Sequence, residues 1–211
     1  MKAWTTAECQ RFLDVARETA NRTYALFTTA IYTGLRQGEL LGLRWQDVDL
    51  DADVLTVQQT LEKAGIVPCF GTPKTAKSRR SVPIPPELVA ILRSWKAKQN
   101  EERLTLGPDY RDYGLVFTVS GGAPINHQNL SSRDFARLTE AAGVPRIRFH
   151  DLRHTSASLL LAANVNPKVV SERLGHSTIG ITLDVYSHVL PTMQREAAND
   201  LGRILSPAAS G

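Results

Sequence analysis

The chain has 211 residues and a mass of 23.2 kDa, with 42% hydrophobic and 22% charged residues, which suits one globular domain and excludes wholesale disorder or a fibrous repeat. Two cysteines, Cys9 and Cys69, are too few for a disulfide framework, and the sequence has neither an apolar run of membrane-spanning length nor the apolar core of a secretion signal. We therefore expect a soluble, cytoplasmic protein, and the net charge of +4 with a pI near 9.2 is compatible with a polyanionic partner.

The hydrophobic periodicity predicts a mainly helical chain with one small antiparallel sheet. In chain order we predict a helix capped by Thr5 and Glu8, helices over 23–33 and 36–43, a turn over 45–53, a strand over 54–58, its hairpin partner over 80–84, a helix over 86–99, a loop over 100–114 and a helix from Asn126 to Ala142. The last third predicts helices over 151–163, 167–174 and 178–185, and a final helix after Pro191. The fold class is α+β, with one domain over 1–205 and a loose tail over 206–211.

Positive charge is concentrated in the middle of the chain. Residues 61–105 carry nine basic and four acidic groups, a net charge of +5, and the densest cluster holds Lys74, Lys77, Arg79 and Arg80 beside the predicted hairpin turn. A solvated loop is the commoner explanation of such a run, but a local basic patch is also what a phosphate backbone attracts.

A second set of polar residues is not explained by helix or strand patterns. Arg36 begins a helix, His150 and Arg153 share one helix face, and His176 follows a Leu-Gly helix end. Arginine grips two phosphate oxygens at once and histidine exchanges protons near neutral pH, so these residues with Lys74 suit a phosphate site. Tyr186 is the candidate nucleophile, since its phenol is a better leaving group than an alkyl hydroxyl.

Metal chemistry is disfavoured by the sequence. The acidic run over 47–53 lacks the glycine and the closing glutamate of a calcium loop. His150 and His154 are four residues apart, but the glutamate of a zinc motif is missing and an arginine lies beside them. We expect no metal and no cofactor, with Arg, Lys and His supplying the charge instead.

Four short motifs resemble those of the tyrosine recombinase (phage integrase) family. They are TGLRQGELLGLRWQDV at 33–48, TPKTAKSRRSVPI at 72–84, HDLRHTSAS at 150–158 and LGHSTIGITLDVYSH at 174–188. Each of the six key side chains, taken alone, would more often have a structural role. Their order and spacing, with about 150 residues between Arg36 and Tyr186, make the match specific, and the resemblance covers the chain from Trp4 to about Leu205.

The resemblance implies a role for each of these residues. Arg36 and Arg153 would clamp the scissile phosphate, Lys74 would protonate the leaving 5′ oxygen, His150 would act as the acid–base partner, His176 would hydrogen-bond the phosphate, and Tyr186 would attack to give a 3′-phosphotyrosyl intermediate. Glu39 would orient the site. Lys77, Arg79, Arg80, Arg146 and Arg148 are the expected DNA contacts.

The resemblance also implies partners and setting. We expect double-stranded DNA as substrate, site-specific recombination without a metal, and a nucleoid-associated protein of prokaryotic or phage origin. Family members usually carry a helical core-binding domain before the segment that starts at Trp4, so this chain is expected to be a catalytic domain without it. A homotetramer on DNA is expected of the full-length protein, and a monomer of the isolated domain.

Two other functions are compatible with the same residues. A type IB topoisomerase-like enzyme would use similar chemistry to relax one duplex without recombining two sites. A DNA-binding module that kept the fold but lost the activity is the other, although all six positions hold chemically competent residue types.

Overall fold

The computed structural model describes residues 2–19, 21–65, 67–72, 79–176, 178–180, 182, 195, 198–199 and 201–204. Helices dominate this part of the chain. They are α1 (Thr6–Thr19), α2 (Asn21–Thr33), α3 (Gln37–Leu41), α4 (Pro86–Leu106), α5 (His127–Asn129), a π-helix (Leu130–Phe135), α6 (Ala136–Ala141), α7 (Asp151–Ala162) and α8 (Pro167–Leu174). The predicted fold class, mainly helical with small antiparallel sheets, is confirmed.

Local sequence signals account for several helix ends. Thr5 and Glu8 cap α1 reciprocally: Glu8 Oε2 accepts from the Thr5 amide at 2.7 Å, and the Glu8 amide donates to Thr5 Oγ1 at 3.3 Å. Asn126 accepts from the backbone amides of Gln128 and Asn129 at the start of α5. Pro167 begins α8, and Gly175 ends it in the left-handed conformation.

The strands differ from the predicted single hairpin. Strands β1 (Val48–Asp49), β2 (Val54–Val57) and β5 (Arg80–Pro83) form one antiparallel sheet in the order β1-β2-β5, with Val57 opposite Arg80. The pairing of β2 with β5 was predicted, but their connection contains a second hairpin of β3 (Thr60–Lys63) and β4 (Cys69–Gly71). The prediction of a simple hairpin was wrong because that insertion carries its own pairing.

Two further predictions of secondary structure were also wrong. Helix α4 continues to Leu106 instead of ending near residue 99, because Glu102 in its last turns is held by Arg22 and Ser120 from distant segments. The acidic run predicted as a turn contains β1, which pairs with β2. Both differences depend on contacts that local sequence does not show.

The core is built around an aromatic cluster between α1, α2, the π-helix and the start of α7. Its rings lie 4.9–6.0 Å apart between centroids and come from Trp4, Phe12, Phe27, Phe135 and Phe149. The Trp4 amide also donates to Thr155 Oγ1 at 3.1 Å, so the start of the chain is fastened to α7. Among the described helices, none is both long enough and apolar enough to cross a membrane.

Candidate active site

A buried carboxylate orients the first arginine. Glu39, on α3, is 2% exposed; its Oε2 accepts from the Arg36 backbone amide at 2.9 Å and its Oε1 accepts from Arg36 Nη1 at 2.8 Å. Arg36 Nη2 donates to the carbonyl of Gly175, beyond the end of α8, at 3.0 Å. These bonds hold a partly exposed guanidinium in one place, where it can still reach an anion.

The second arginine is buried and incompletely paired. Arg153, on α7, is 4% exposed, and its Nη1 donates to the carbonyl of Gly34 at 2.8 Å. Its Nη2 is buried with no acceptor among the described residues. Burial and the nearby charge of Arg36 lower the pKa of Arg153 to about 9, so it stays protonated at neutral pH. A buried, charged donor without an acceptor indicates a site for an anion.

A turn at Gly34 brings the two arginines together. Gly34 has φ +62°, and a Cβ there would lie 2.2 Å from Leu174 Cδ2 on α8 and 3.2 Å from Ser156 Oγ on α7. Only glycine fits this conformation and this close packing without strain. The turn between α2 and α3 can therefore sit directly against α7 and α8, with its carbonyl bonded to Arg153.

His176 lies close enough to Arg153 and Arg36 for their charges to act on its ring, and these three side chains are called the phosphate pocket below. It is 9% exposed, and its Nδ1 lies 2.8 Å from Thr182 Oγ1. Burial and the charges of Arg153 and Arg36 lower the pKa of His176 to about 4. The ring is thus neutral at physiological pH, with one nitrogen held by a hydroxyl and the other able to bond a phosphate.

Two more histidines, His150 and His154, lie at the start of α7. The rings of His150 and His154 pack edge to face with centroids 5.2 Å apart. Burial and the charge of Arg153 lower the pKa of His150, and burial and His150 lower that of His154. These shifts favour the neutral form of both rings, which is the form that can accept a proton. No group of three His, Cys, Asp or Glu residues is placed to hold a metal ion in the described part of the chain.

The expected DNA contacts fall into two groups. Arg79 and Arg146 are exposed. Arg148 is 76% exposed, but its side chain is also bonded to Asp151 at 2.8 Å and 3.1 Å. Arg80 differs from the expectation, because its side chain is 7% exposed and is paired with Glu39 at 2.9 Å. Its position in the interior does not suit a surface phosphate contact.

Three predicted residues, Lys74, Lys77 and Tyr186, lie outside the described residues. A cavity of about 300 Å³ opens beside the described part of the site. It is lined by Arg80, Lys168, Ser171, Glu172, Gly175, His176 and Ile179.

Three features of the site were missed in the sequence. The carbonyl of Gly34 bonds Arg153, the hydroxyl of Thr182 bonds His176, and Arg80 shares Glu39 with Arg36. The glycine could have been found from its place at a helix end. The other two are contacts between residues whose types are ordinary, and no sequence signal marks them.

Most of the chain matches a known protein family. The model of the phage integrase family matches residues 2–193. The chain belongs to the phage integrase family. A tyrosine recombinase XerC-like protein of Caldanaerobacter subterraneus subsp. tengcongensis is 40% identical to this chain over 193 residues. The matched region covers 86% of this chain and 49% of the relative's length. The ICEBs1 integrase of Bacillus subtilis is 32% identical and covers 97% of this chain and 55% of its own. The chain thus spans about half the length of these relatives.

Solved structures share the fold of this phage integrase family member. The XerA recombinase superposes with a TM-score of 0.73 at 25% identity, covering 95% of this chain and 63% of its own. The Tn1549 transposon integrase, solved in complex with transposon right end DNA, superposes with a TM-score of 0.78 at 24% identity and covers 93% of this chain and 66% of its own. The resemblance to the family stated from the four motifs is confirmed.

Proposed function

We propose that this chain is the DNA-cleaving and rejoining domain of a tyrosine-type site-specific recombinase. The observation that carries the proposal is the buried Arg153 Nη2 without an acceptor, in a pocket that also holds Arg36 and His176. These groups bring two positive charges and a neutral imidazole close to one another, and a phosphodiester matches that combination. The family membership and the 40% identity to a tyrosine recombinase XerC-like protein support it.

The chemistry is a transesterification. The phenol oxygen of Tyr186 attacks phosphorus, a phosphotyrosyl bond forms to the 3′ side, and the bond to the 5′ oxygen breaks. Arg36 and Arg153 neutralise the non-bridging oxygens, and His176 donates a hydrogen bond to one of them. His150 accepts the phenol proton and Lys74 gives a proton to the departing 5′ oxygen. Attack of a 5′ hydroxyl from a second strand reverses these steps and rejoins the DNA.

The side chains supply the charge that a metal ion would otherwise supply. Arg153 is protonated at neutral pH even with its pKa lowered to about 9, and Arg36 is fixed beside it by Glu39. Preorganised cations in a partly buried pocket stabilise the pentavalent phosphorane-like charge without reorganisation. We therefore propose cleavage that proceeds in the presence of a chelator.

The domain assignment and the partners belong to the same proposal. Residues 1–205 form the catalytic unit, and double-stranded DNA is its substrate. The exposed Arg79 and Arg146 contact the DNA backbone. We propose that a longer protein containing this domain acts as a homotetramer on two DNA sites, in the cytoplasm at the nucleoid, and that this chain by itself is a monomer.

The test is a suicide substrate incubated with the 211-residue chain at low salt. A nicked duplex is built from the junction sequence of the element that encodes the chain, so that cleavage releases a short fragment and traps the adduct. We expect a covalent protein–DNA complex in EDTA, absent in Tyr186→Phe and strongly reduced in Arg153→Lys, which keeps a charge but loses the planar fork.

Four outcomes would contradict the proposal. An adduct that survives in Tyr186→Phe removes this tyrosine as the nucleophile, and cleavage that needs added metal removes the metal-free chemistry. Relaxation of a supercoiled plasmid without recombination between two sites favours the topoisomerase-like enzyme. DNA binding with no adduct at all favours the inactive module.

A further inference from the structure

One guanidinium connects three segments of the site. Arg80, at the start of β5, bonds Glu39 on α3 through Nη2 at 2.9 Å and Nη1 at 3.2 Å. Its Nε donates to the carbonyl of Arg173, in the last turn of α8, at 2.7 Å. Side-chain exposure is 7% for Arg80 and 2% for Glu39, so the pair lies in the interior.

The arginine also packs against the glycine before His176. A Cβ built on Gly175 would lie 2.9 Å from Arg80 Nη1 and 3.1 Å from its Cδ and Cζ. Arg36 Nη2 donates to the carbonyl of this same glycine at 3.0 Å. The end of α8 is thus held by Arg80 on one side and by Arg36 on the other.

Each of these contacts acts on a group assigned to the phosphate pocket. Glu39 accepts hydrogen bonds from both Arg80 and Arg36, so Arg80 helps to set the position of the carboxylate that holds Arg36. The bond to the Arg173 carbonyl fixes the helix end from which His176 follows. Arg80 also begins β5, six residues after Lys74 in the chain. A buried pair of this kind sets geometry more than it adds stability.

We propose that Arg80 is a positioning residue that aligns Arg36 and His176 through Glu39 and the end of α8, and that it is not a contact to the DNA backbone. This inference rests on the proposed function, and it replaces the phosphate contact expected from the sequence. A small displacement of the groups that hold the reacting phosphate is costly for the rate even when binding is unchanged.

The test compares Arg80→Gln with Arg17→Gln. The control removes the same charge from an exposed pair, since Arg17 and Asp14 are both 61% exposed. DNA affinity is measured as a function of salt, and adduct formation is measured in a single turnover at saturating protein, well below the melting temperature of either variant. For Arg80→Gln we expect adduct formation about 100-fold slower, with the affinity and its salt slope equal to those of Arg17→Gln.

The opposite pattern would overturn the inference. A phosphate contact predicts weaker binding, a salt slope smaller by about 0.9, and a normal rate once the DNA is bound. A normal rate with normal binding would leave Arg80 without a role in alignment. The wild-type protein is measured first. If it forms no adduct, the proposed function itself is contradicted, and this outcome is distinct from a change in the rate or the binding of Arg80→Gln.

A double-mutant cycle on melting temperature tests the contact between Arg80 and Glu39 without an activity measurement. Arg80→Gln leaves the Glu39 carboxylate buried with one partner fewer, and we expect its melting temperature to fall on the order of 10 °C. Glu39→Gln in the same chain should restore part of this loss, because both charges are then removed. Additive losses would show that the two side chains do not interact. If Arg80→Gln does not fold, Arg80→Lys takes its place, since it keeps the charge but lacks the planar fork through which Arg80 bonds Glu39 and Arg173.

Discussion

Replacing Gly34 by alanine tests the packing that brings the two arginines together. At this glycine φ is +62°, and the added Cβ would meet Leu174 Cδ2 at 2.2 Å and Ser156 Oγ at 3.2 Å. Gly143 provides a matched control, because its φ is +59° and nothing lies within 4 Å of its Cβ position. The two variants share the backbone strain and differ in the collision.

The magnitude follows from these two terms. A left-handed alanine costs about 1–2 kcal/mol, and the change in unfolded-chain entropy is the same in both variants. Overpacking adds about 1–3 kcal/mol at Gly34 alone. We therefore expect Gly34→Ala to be destabilised by about 1–3 kcal/mol more than Gly143→Ala, which is roughly 2–12 °C in melting temperature for a chain of this size.

Urea denaturation followed by circular dichroism measures this difference. Because the Gly34 carbonyl accepts from Arg153 Nη1, we also expect slower adduct formation in Gly34→Ala and an unchanged rate in Gly143→Ala. Equal stabilities of the two variants would refute the close approach of α8 to the turn. Unequal stabilities with equal rates would refute the link from the turn to Arg153.

Three other predictions concern single contacts and pH. Thr182→Val removes the hydroxyl beside His176 Nδ1, and single-turnover cleavage should slow about 2- to 10-fold with unchanged DNA affinity; an unchanged rate would show that this bond does not hold the ring. The pKa of His176 is lowered to about 4 from about 6.5 in the unfolded chain, so the unfolded state binds the extra proton between these values and the free energy of unfolding should fall as pH falls from about 6.5 to about 4. Denaturation at several pH values should show a smaller fall in the free energy of unfolding for His176→Gln than for the wild-type protein. An identical fall in both would mean that another group titrates. Thr5→Ala breaks the cap of α1 and should cost about 1 kcal/mol in urea denaturation, whereas no change would mean that the cap is dispensable.

Much of the fold could be predicted because its signals are local. The capping box at Thr5 and Glu8 and the proline and glycine that bound α8 fix helix ends through bonds within a few residues. The pairing of β2 with β5 was predicted from two short alternating runs. The β3–β4 hairpin and the last turns of α4 were missed, since tertiary contacts such as Arg22 with Glu102 stabilise a polar segment that reads as a loop.

The site was predictable as chemistry and less so as geometry. Residue types and order pointed to Arg36, Arg153 and His176, and the structure brings these three together. The place of Arg80 was not predictable, because a run of basic residues does not show which side chain turns inward to meet Glu39. Arg80 is buried because of its contact with Glu39, which lies 41 positions away in the sequence. The composition of the basic run does not indicate such a contact.

The central proposal is that the pocket of Arg36, Arg153 and His176 holds a phosphodiester while Tyr186 attacks it. The most direct measurement is peptide mass spectrometry of the adduct trapped on the nicked duplex in EDTA, after digestion of the protein and the DNA. We expect the nucleotide mass on the peptide that contains Tyr186, with fragment ions that assign it to this side chain. A nucleotide attached to any other residue would contradict the account.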